Sequence, residues 1–296
     1  MNLVHTFEDV RSSAVGSVGL VPTMGFLHEG HLSLIREASS RNDTVVVSVF
    51  VNPLQFGETR DLSTYPRDLD RDVALAFDAG ATVVFAPDTD YMYPHQPETT
   101  VTVGKVAEGM EGTARPGHFA GVATVVAKLF AGVQPDASYF GRKDAQQLAV
   151  ITTMATDLSF PVSVHGMPIV READGLALSS RNVRLSAGHR GSATALSAGL
   201  LAAADAFEAG EQSVDQIKNI ALRHMDAVPE VSVEYVELAD TRTAAIGRIA
   251  DGVQFLATAA RVGDVRLIDN VTLDSETRTV DRGVRLAHPS ILYGGS

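Results

Sequence analysis

Residues Pro22–Leu34 read PTMGFLHEGHLSL, and the way the chain enters and leaves this stretch decides the fold. The apolar run Gly19–Val21 predicts a buried strand that ends in Pro22-Thr23-Met24-Gly25, and the pattern beyond predicts a helix starting near Gly30. Gly25 and Gly30 let backbone amides approach a ligand closely. A helix N-terminus adds the positive end of the helix dipole, which suits phosphate. His28 and His31 stand three residues apart, so they share a face at that terminus. Imidazoles there are suited to donate hydrogen bonds to phosphate oxygens and to stabilise charge that develops in a transition state.

Other chemistries compete for the same letters. His-Glu-Gly-His is one residue too short for the HExxH zinc motif, so the geometry of that motif is lost. No G-x-G-x-x-G follows the first strand, and no G-x-x-x-x-G-K-[ST] occurs, which excludes a P-loop NTPase. A His-containing nucleotide loop remains, against the plainer alternative of two surface histidines without a role.

Outward from this stretch, strand and helix patterns alternate. Val18–Pro22 predicts a short buried strand and His31–Ser40 the helix after it. Thr44–Val51 (TVVVSVFV) is a β-branched run of the kind buried on both faces of a parallel sheet. Asp68–Ala79 predicts a helix ended by Gly80, Ala81–Ala86 a strand, Gly121–Gly132 a helix, Ala137–Phe140 a short strand and Asp144–Leu158 a long helix. This repetition implies an α/β fold with a doubly wound parallel sheet, Rossmann-like. The rhythm changes around His165–Arg171. Ala-rich helices follow (Ala187–Ala209 and Val214–Ala227), then strand-like Val231–Leu238 and Val253–Asp269. Residues 1–169 and 170–296 are therefore expected as two domains, the second a smaller α+β unit closing over the active site.

Composition narrows the classes. The 296 residues are 45% hydrophobic and 20% charged, too apolar for intrinsic disorder and enough for a sizeable core. With no cysteine, a disulfide framework, a thiolate metal site and a cysteine nucleophile are excluded. A net charge of −12 opposes general nucleic-acid binding but leaves room for a local basic pocket. Lysine is rare, with only Lys105, Lys128, Lys143 and Lys218, so a lysine inside a motif stands out. Met1–Arg11 shows no basic stretch followed by an apolar run, and stretches such as Thr44–Val51 and Gly121–Ala131 fall far short of a bilayer span. A cytoplasmic protein without membrane association is expected.

Further segments carry candidate chemistry. FVNPLQFG (Phe50–Gly57) follows a strand directly, where loops face the ligand crevice of a doubly wound sheet, and Asn52 and Gln55 offer amides to a small polar substrate. An ordinary Asn-Pro turn is the alternative. YPRDLDRD (Tyr65–Asp72), with Asp68, Asp70 and Asp72 and the nearby Asp61, has carboxylates able to hold Mg2+ near a triphosphate, or else a helix first turn where Asp is favoured anyway. Arg-Pro-Gly-His (Arg115–His118) is a loop able to place Arg115 and His118 over anions, ahead of a core helix. In FGRKDAQQLAVI (Phe140–Ile151), Gly141 makes a turn and Lys143 is held at a helix N-terminus, where the dipole disfavours a cation unless a phosphate is present. Asp144 suits the helix cap or a ribose hydroxyl, and Gln147 lies one turn on, facing the same crevice. Finally, in PIVREADGLALSSRN (Pro168–Asn182), Ser179, Ser180 and Arg181 supply hydroxyls and a guanidinium fork suited to phosphate, or a cap and a solvated turn.

The strand–loop–helix with H-x-G-H resembles the nucleotidyltransferase superfamily shared with class I aminoacyl-tRNA synthetases. The ordered set of motifs from Val21 to Asn182 is similar to the pantoate–β-alanine ligase family, the pantothenate synthetases, in particular. The resemblance implies ATP contacts at Met24, Gly25, His28, Gly30 and His31, at Gly141, Arg142, Lys143 and Asp144, at Val170 through its backbone to adenine, and at Leu178, Ser179, Ser180 and Arg181. It implies pantoate and β-alanine contacts at Gln55, Gln147, Asn52 and Arg115, the last on a mobile gate. Arg142 stands where many members carry Glu. Mg2+ with ATP, and a homodimer, are implied as well.

The implied reaction forms pantoyl adenylate and pyrophosphate from ATP and (R)-pantoate. β-Alanine then attacks the mixed anhydride to give pantothenate and AMP, as a step in pantothenate and coenzyme A biosynthesis. In that reading His28, His31 and Lys143 are the catalytic groups. The histidines steady the departing charge, and His31 is able to donate a proton because imidazole titrates near neutrality. Two rivals are a nucleotidyltransferase acting on a phosphate ester, which needs no FVNPLQFG, and a non-catalytic nucleotide-binding relic, against which His28, His31, Lys143 and Arg181 argue.

Overall fold

The computed structural model describes residues 2–56, 62–247 and 252–293; Gly57 and Asp61 of the predicted loops lie outside them. The chain divides into two compact units, residues 1–141 with 150–167, and residues 142–149 with 168–296. The short 142–149 segment thus groups with the C-terminal unit although it directly follows a strand of the first.

The first unit is built on strands β1 (Asn2–Val4), β2 (Val18–Thr23), β3 (Thr44–Val49), β4 (Val83–Phe85), β5 (Ala137–Gly141) and β6 (Ser163–Met167), in the order β1-β4-β3-β2-β5-β6. Every pairing is parallel. From β2 the chain order runs through β3 and β4 on one side and through β5 and β6 on the other, with β1 added at the edge beyond β4; the topological switch therefore lies between β2 and β5, and loops leaving their carboxyl ends face the ligand crevice of such a sheet. The expected doubly wound sheet is present. The β-branched run of β3 is buried from Thr44 to Ser48, as a strand covered on both faces requires. The His118–Val133 helix buries Phe119, Val122, Val125, Val126, Leu129, Phe130 and Val133. Apolar on nearly every face, it is a core helix rather than an amphipathic one. The N-terminal residues, polar in sequence, supply the edge strand β1 and the Phe7–Ser13 helix, which the reading of the sequence missed.

The second unit contains β7 (Val170–Arg171), β8 (Val231–Asp240), β9 (Val253–Val262), β10 (Val265–Asp274), β11 (Thr279–Asp281) and β12 (Val284–Arg285). An antiparallel sheet runs β11-β10-β9-β8, and β12 pairs with β7 in a separate parallel pair. Its core joins Leu196, Leu200 and Phe207 to Ile217, Met225, Leu238, Leu256 and Leu267. The expected α+β character is present, with two differences. Val253–Asp269 is a hairpin, because Gly263 adopts φ 57° and turns the chain with Asp264. Ala187–Ala209, read as one helix, is two, Ala187–Ser192 and Thr194–Glu208. Gly188 and Gly191 weaken the first turns, and the fully buried Ala193 turns its N–H back to His189 and Gly191.

Candidate active site

β2 delivers the chain into a loop that is strained and then braced. Gly25 has φ 81° and Phe26 φ 51°, both left-handed. A Cβ on Gly25 would stand 2.8 Å from Asp72 Oδ2, so this position needs glycine for conformation and for space. Asp72, 1% exposed, accepts from the N–H of Phe26 at 2.7 Å and of Leu27 at 2.6 Å. Arg71 adds a donor to the Leu27 carbonyl at 3.0 Å and lies 5.2 Å from the Phe26 ring centroid. Burial pushes the Asp72 carboxyl above its ordinary value, opposed by those two backbone N–H groups.

The loop ends in a reciprocal cap made of two imidazoles. His28 is the N-cap of the Glu29–Arg41 helix, its Nδ1 accepting from the Gly30 N–H at 3.2 Å. His31 Nδ1 accepts in turn from the His28 N–H at 3.3 Å, and the rings lie tilted by 32° with centroids 4.1 Å apart. A Cβ on Gly30 would stand 2.9 Å from the His28 ring, so the glycine makes room for the cap. Because each Nδ1 accepts, each neutral ring carries its proton on Nε2. The helix thus begins with two oriented N–H donors beside its own dipole. The spacing that suggested a shared face is realised as N-cap and third helical residue.

The loop after β3 forms a second cluster. Pro53–Gln55 is a 3-10 turn capped by Asn52. Asn52 is 1% exposed and its amide is fully engaged: Nδ2 donates to Gln55 Oε1 and to the Gly121 carbonyl, each at 3.1 Å, while Oδ1 accepts from Leu54 N–H and from Tyr93 Oη. It therefore holds Gln55 rather than presenting a free amide. Burial pushes the Tyr93 hydroxyl up to about 12, so it stays a donor. Gln55 Nε2 reaches Met24 Sδ at 3.1 Å, joining this loop to the one after β2. His118 Nδ1 donates to the Gln55 carbonyl at 2.9 Å, and its Nε2 accepts from Arg115 at 3.1 Å. Met24, Asn52, Gln55, Arg115 and His118 are thus brought together. A cavity of about 650 Å3 opens where β1, β3 and β4 end; it shares Met24 with this set and is lined also by Gly25, Arg67, Asp68 and Asp88.

In the second unit, Arg142–Asp144 is a 3-10 turn running into the Ala145–Asp157 helix, which carries Gln147 in its first turn. Lys143 is 18% exposed, with Nζ 3.7 Å from Asp144 Oδ2. Arg142 pairs with Asp281 at 2.9 Å. Ser179 caps the Ser180–Arg184 turn, its Oγ accepting from the Arg181 N–H. Leu178 N–H donates to the Val170 carbonyl, which ties the two predicted adenylate segments together. Asn182 anchors the far end, donating to Glu172 Oε1 at 2.9 Å, and Glu172 is held by Arg190 and Tyr293.

Among the described residues the predicted carboxylates do not assemble into a metal cage. Asp72 spends its oxygens on backbone N–H groups, Asp68 caps the Leu69–Asp78 helix, and no group of three ligating side chains exists among the described residues. Tyr93 and the Glu172–Arg190–Tyr293 set carried no assignment in the sequence, and Asp72 was expected as a candidate metal ligand or as an acid of a helix first turn, not as a brace for the loop after β2. An acid in a helix first turn was the one visible signal.

A family model described as pantoate-beta-alanine ligase matches residues 2–272. The chain belongs to the pantoate–β-alanine ligase family. A pantothenate synthetase from Trichlorobacter lovleyi is 48% identical over 279 residues, 92% of this chain and 99% of that one. The crystal structure of pantothenate synthetase from Thermus thermophilus superposes with a TM-score of 0.87 at 47% identity, covering 91% of this chain and 98% of that one. A pantoate-beta-alanine ligase from Francisella tularensis, complexed with beta-gamma ATP and beta-alanine, has a TM-score of 0.71 at 31% identity, covering 91% and 97%. Both solved structures share the fold, and the motifs from Val21 to Asn182 all fall inside the family match.

Proposed function

We propose that this family member condenses (R)-pantoate with β-alanine at the expense of ATP, through pantoyl adenylate, giving pantothenate, AMP and pyrophosphate. The observation that carries the reading is the pair of imidazoles at the start of the Glu29–Arg41 helix, each held by its Nδ1 so that Nε2–H is a donor. A carboxylate is a poor acyl donor until its oxygen leaves as part of a phosphate ester. Attack of pantoate's own carboxylate on the α-phosphorus needs no protein nucleophile. It needs charge on the departing pyrophosphate to be met by fixed donors, which cost no reorganisation.

His28 and His31 take that charge, and His31 supplies a proton where one is needed. Lys143, Ser179 and Arg181 neutralise phosphate oxygens, with backbone contacts at Gly25, Gly30, Gly141 and Val170. Gln55 and Gln147 hold pantoate, Asn52 fixes Gln55 from behind, and Arg115 approaches the same loop through the Gln55 carbonyl at 3.4 Å. Mg2+ enters as part of the MgATP substrate, held by phosphates and water, since Asp68 and Asp72 near the His loop are engaged by backbone N–H groups. No helix among the described residues is long and apolar enough to cross a membrane. Action in the cytoplasm, as a homodimer whose C-terminal unit closes on the substrates, belongs to the same reading; sedimentation at the mass of one chain would contradict the dimer.

Product analysis after mixing the enzyme with ATP, Mg2+ and pantoate, with and without β-alanine, tests the reaction. Pantothenate and AMP in equal amounts, with sustained turnover requiring β-alanine, are expected. ATP binding without product from these substrates would refute it and favour another nucleotidyl acceptor.

A further inference from the structure

We propose that Asn270, in the middle of β10, is a positioning residue for adenylation: its carboxamide holds the Arg142–Asp144 turn and so sets where Lys143 stands. The proposal rests on the reading that Lys143 meets the phosphates of ATP.

Asn270 is 2% exposed, and its Nδ2 donates to the carbonyls of both Arg142 and Lys143, each at 2.9 Å. Only an NH2 group serves two carbonyls at once, which fixes the orientation of the amide. The Asn270 oxygen has no hydrogen-bond partner, although it is buried. Burying an acceptor without a partner is costly, and an apolar residue would fill a β-sheet interior without that cost. The arrangement keeps two donors on one turn at the expense of the oxygen.

The asparagine is itself held rigidly. Its main-chain N–H donates to Asp269 Oδ1 at 2.7 Å, and its carbonyl accepts from Arg171 Nη2 at 2.9 Å. Arg171 and Asp269, each 1% exposed, pair at 2.7 Å. Arg171 follows Val170 in β7 and also donates to the carbonyls of Gly175 and Arg282. One buried polar chain therefore runs from the Arg142–Lys143 carbonyls through Asn270 and Asp269 to the strand assigned to adenine. β10 is otherwise a strand with buried Leu267, Val271 and Leu273, so the Asp269-Asn270 pair is a polar interruption at the one place where the strand meets the turn.

Asn270→Leu removes both donors at similar volume, and Asn270→Asp keeps the shape but sets a carboxylate against two carbonyls. The assay is pantoate-dependent ATP–pyrophosphate exchange, with KM for ATP and for pantoate measured separately and folding followed by circular dichroism. Misplacement of a reacting group by about 1 Å costs about 10²-fold. Asn270→Leu is expected to lose about 10- to 100-fold in kcat/KM for ATP while KM for pantoate stays within about twofold. Asn270→Asp is expected to recover relative to wild type as pH falls, because the protonated carboxyl regains one donor. In a Lys143→Ala background Asn270→Leu is expected to add little, since both act on one group.

If Lys143→Ala slows exchange but Asn270→Leu does not, the proposal is overturned while the reading of Lys143 stands. If Lys143→Ala itself leaves exchange unchanged, that reading fails and the proposal with it. Equal losses for ATP and pantoate, or fully additive losses in the double variant, would show a merely structural asparagine. Should Asn270→Leu not fold, the pH response of Asn270→Asp decides: recovery at low pH supports the proposal and a flat ratio overturns it.

Discussion

The loop after β2 and the turn after β5 leave neighbouring strands of the same sheet, yet they are held in different ways. Asp72 braces the first through a carboxylate that accepts from two backbone N–H groups, 45 and 46 residues away in sequence. Asn270 braces the second through an amide that donates to two backbone carbonyls, 127 and 128 residues away. The polarity of each brace matches what its backbone has left to satisfy. Before a helix the free groups of a left-handed loop are N–H, and they call for an anion. In the Arg142–Asp144 turn the groups met by the brace are the carbonyls of Arg142 and Lys143, and they call for a donor. The β2 loop is thus a local device of the first unit, whereas the β5 turn depends on the C-terminal sheet.

Cutting the support behind the second brace should cost most. Arg171 and Asp269 are paired and buried, so Asp269→Ala leaves an unpaired guanidinium inside the fold and should cost about 3–5 kcal/mol in chemical denaturation. A change under about 1 kcal/mol would mean the C-terminal sheet does not hold this segment. Next come the groups the braces present. His31→Ala and Lys143→Ala are each expected to slow adenylation by about 10²–10³-fold with the fold intact, the scale of losing one preorganised donor. A loss confined to one of them would mean that only one of the two segments serves the chemistry.

The first brace itself responds to pH, and the sign differs between stability and activity. Burial raises the Asp72 pKa above 3.8, so the folded chain binds this proton more tightly than the unfolded chain. The contribution of Asp72 to stability is therefore greatest at low pH and falls as pH rises from 3.8 through the raised value. Bracing needs the carboxylate, so activity is expected to fall as pH drops through that raised value. Asp72→Asn should remove this acid limb and lower kcat/KM by about tenfold at neutral pH, with a stability change of about 1–3 kcal/mol. An unchanged acid limb would remove Asp72 from the account. A smaller effect still is expected at Arg142, whose pair with Asp281 is partly exposed. Arg142→Glu should shift stability by at most about 1 kcal/mol. A large loss of activity would instead give Arg142 a direct part at the nucleotide.

The parts that could be read from sequence were those where one segment carries its own explanation. β2 follows from a short apolar run and β3 from a β-branched one, and the two histidines from a three-residue spacing beside Gly25 and Gly30. Asp72 was ambiguous because an acid in a helix first turn is favoured by the dipole whether or not it has another task; the cap proved to be Asp68. Asn52 looked like a substrate amide because nothing in NPLQ reveals that Gly121 and Tyr93 lie against it. Asn270 was illegible: no periodicity joins a strand residue to a turn 127 positions earlier, and only tertiary pairing reveals it. The split at Ala193 had a visible signal in Gly188 and Gly191, which the Ala-rich run beyond Thr194 outweighed in the reading.

Whether the two braced segments serve one adenylation step is decided by exchange of labelled pyrophosphate into ATP, run with the wild-type enzyme in the absence of β-alanine. Exchange should require pantoate and should fall by about 10²–10³-fold in His31→Ala and Lys143→Ala. Exchange without pantoate, or pantothenate formed by an enzyme that shows no exchange, would contradict a pantoyl-adenylate mechanism at this site.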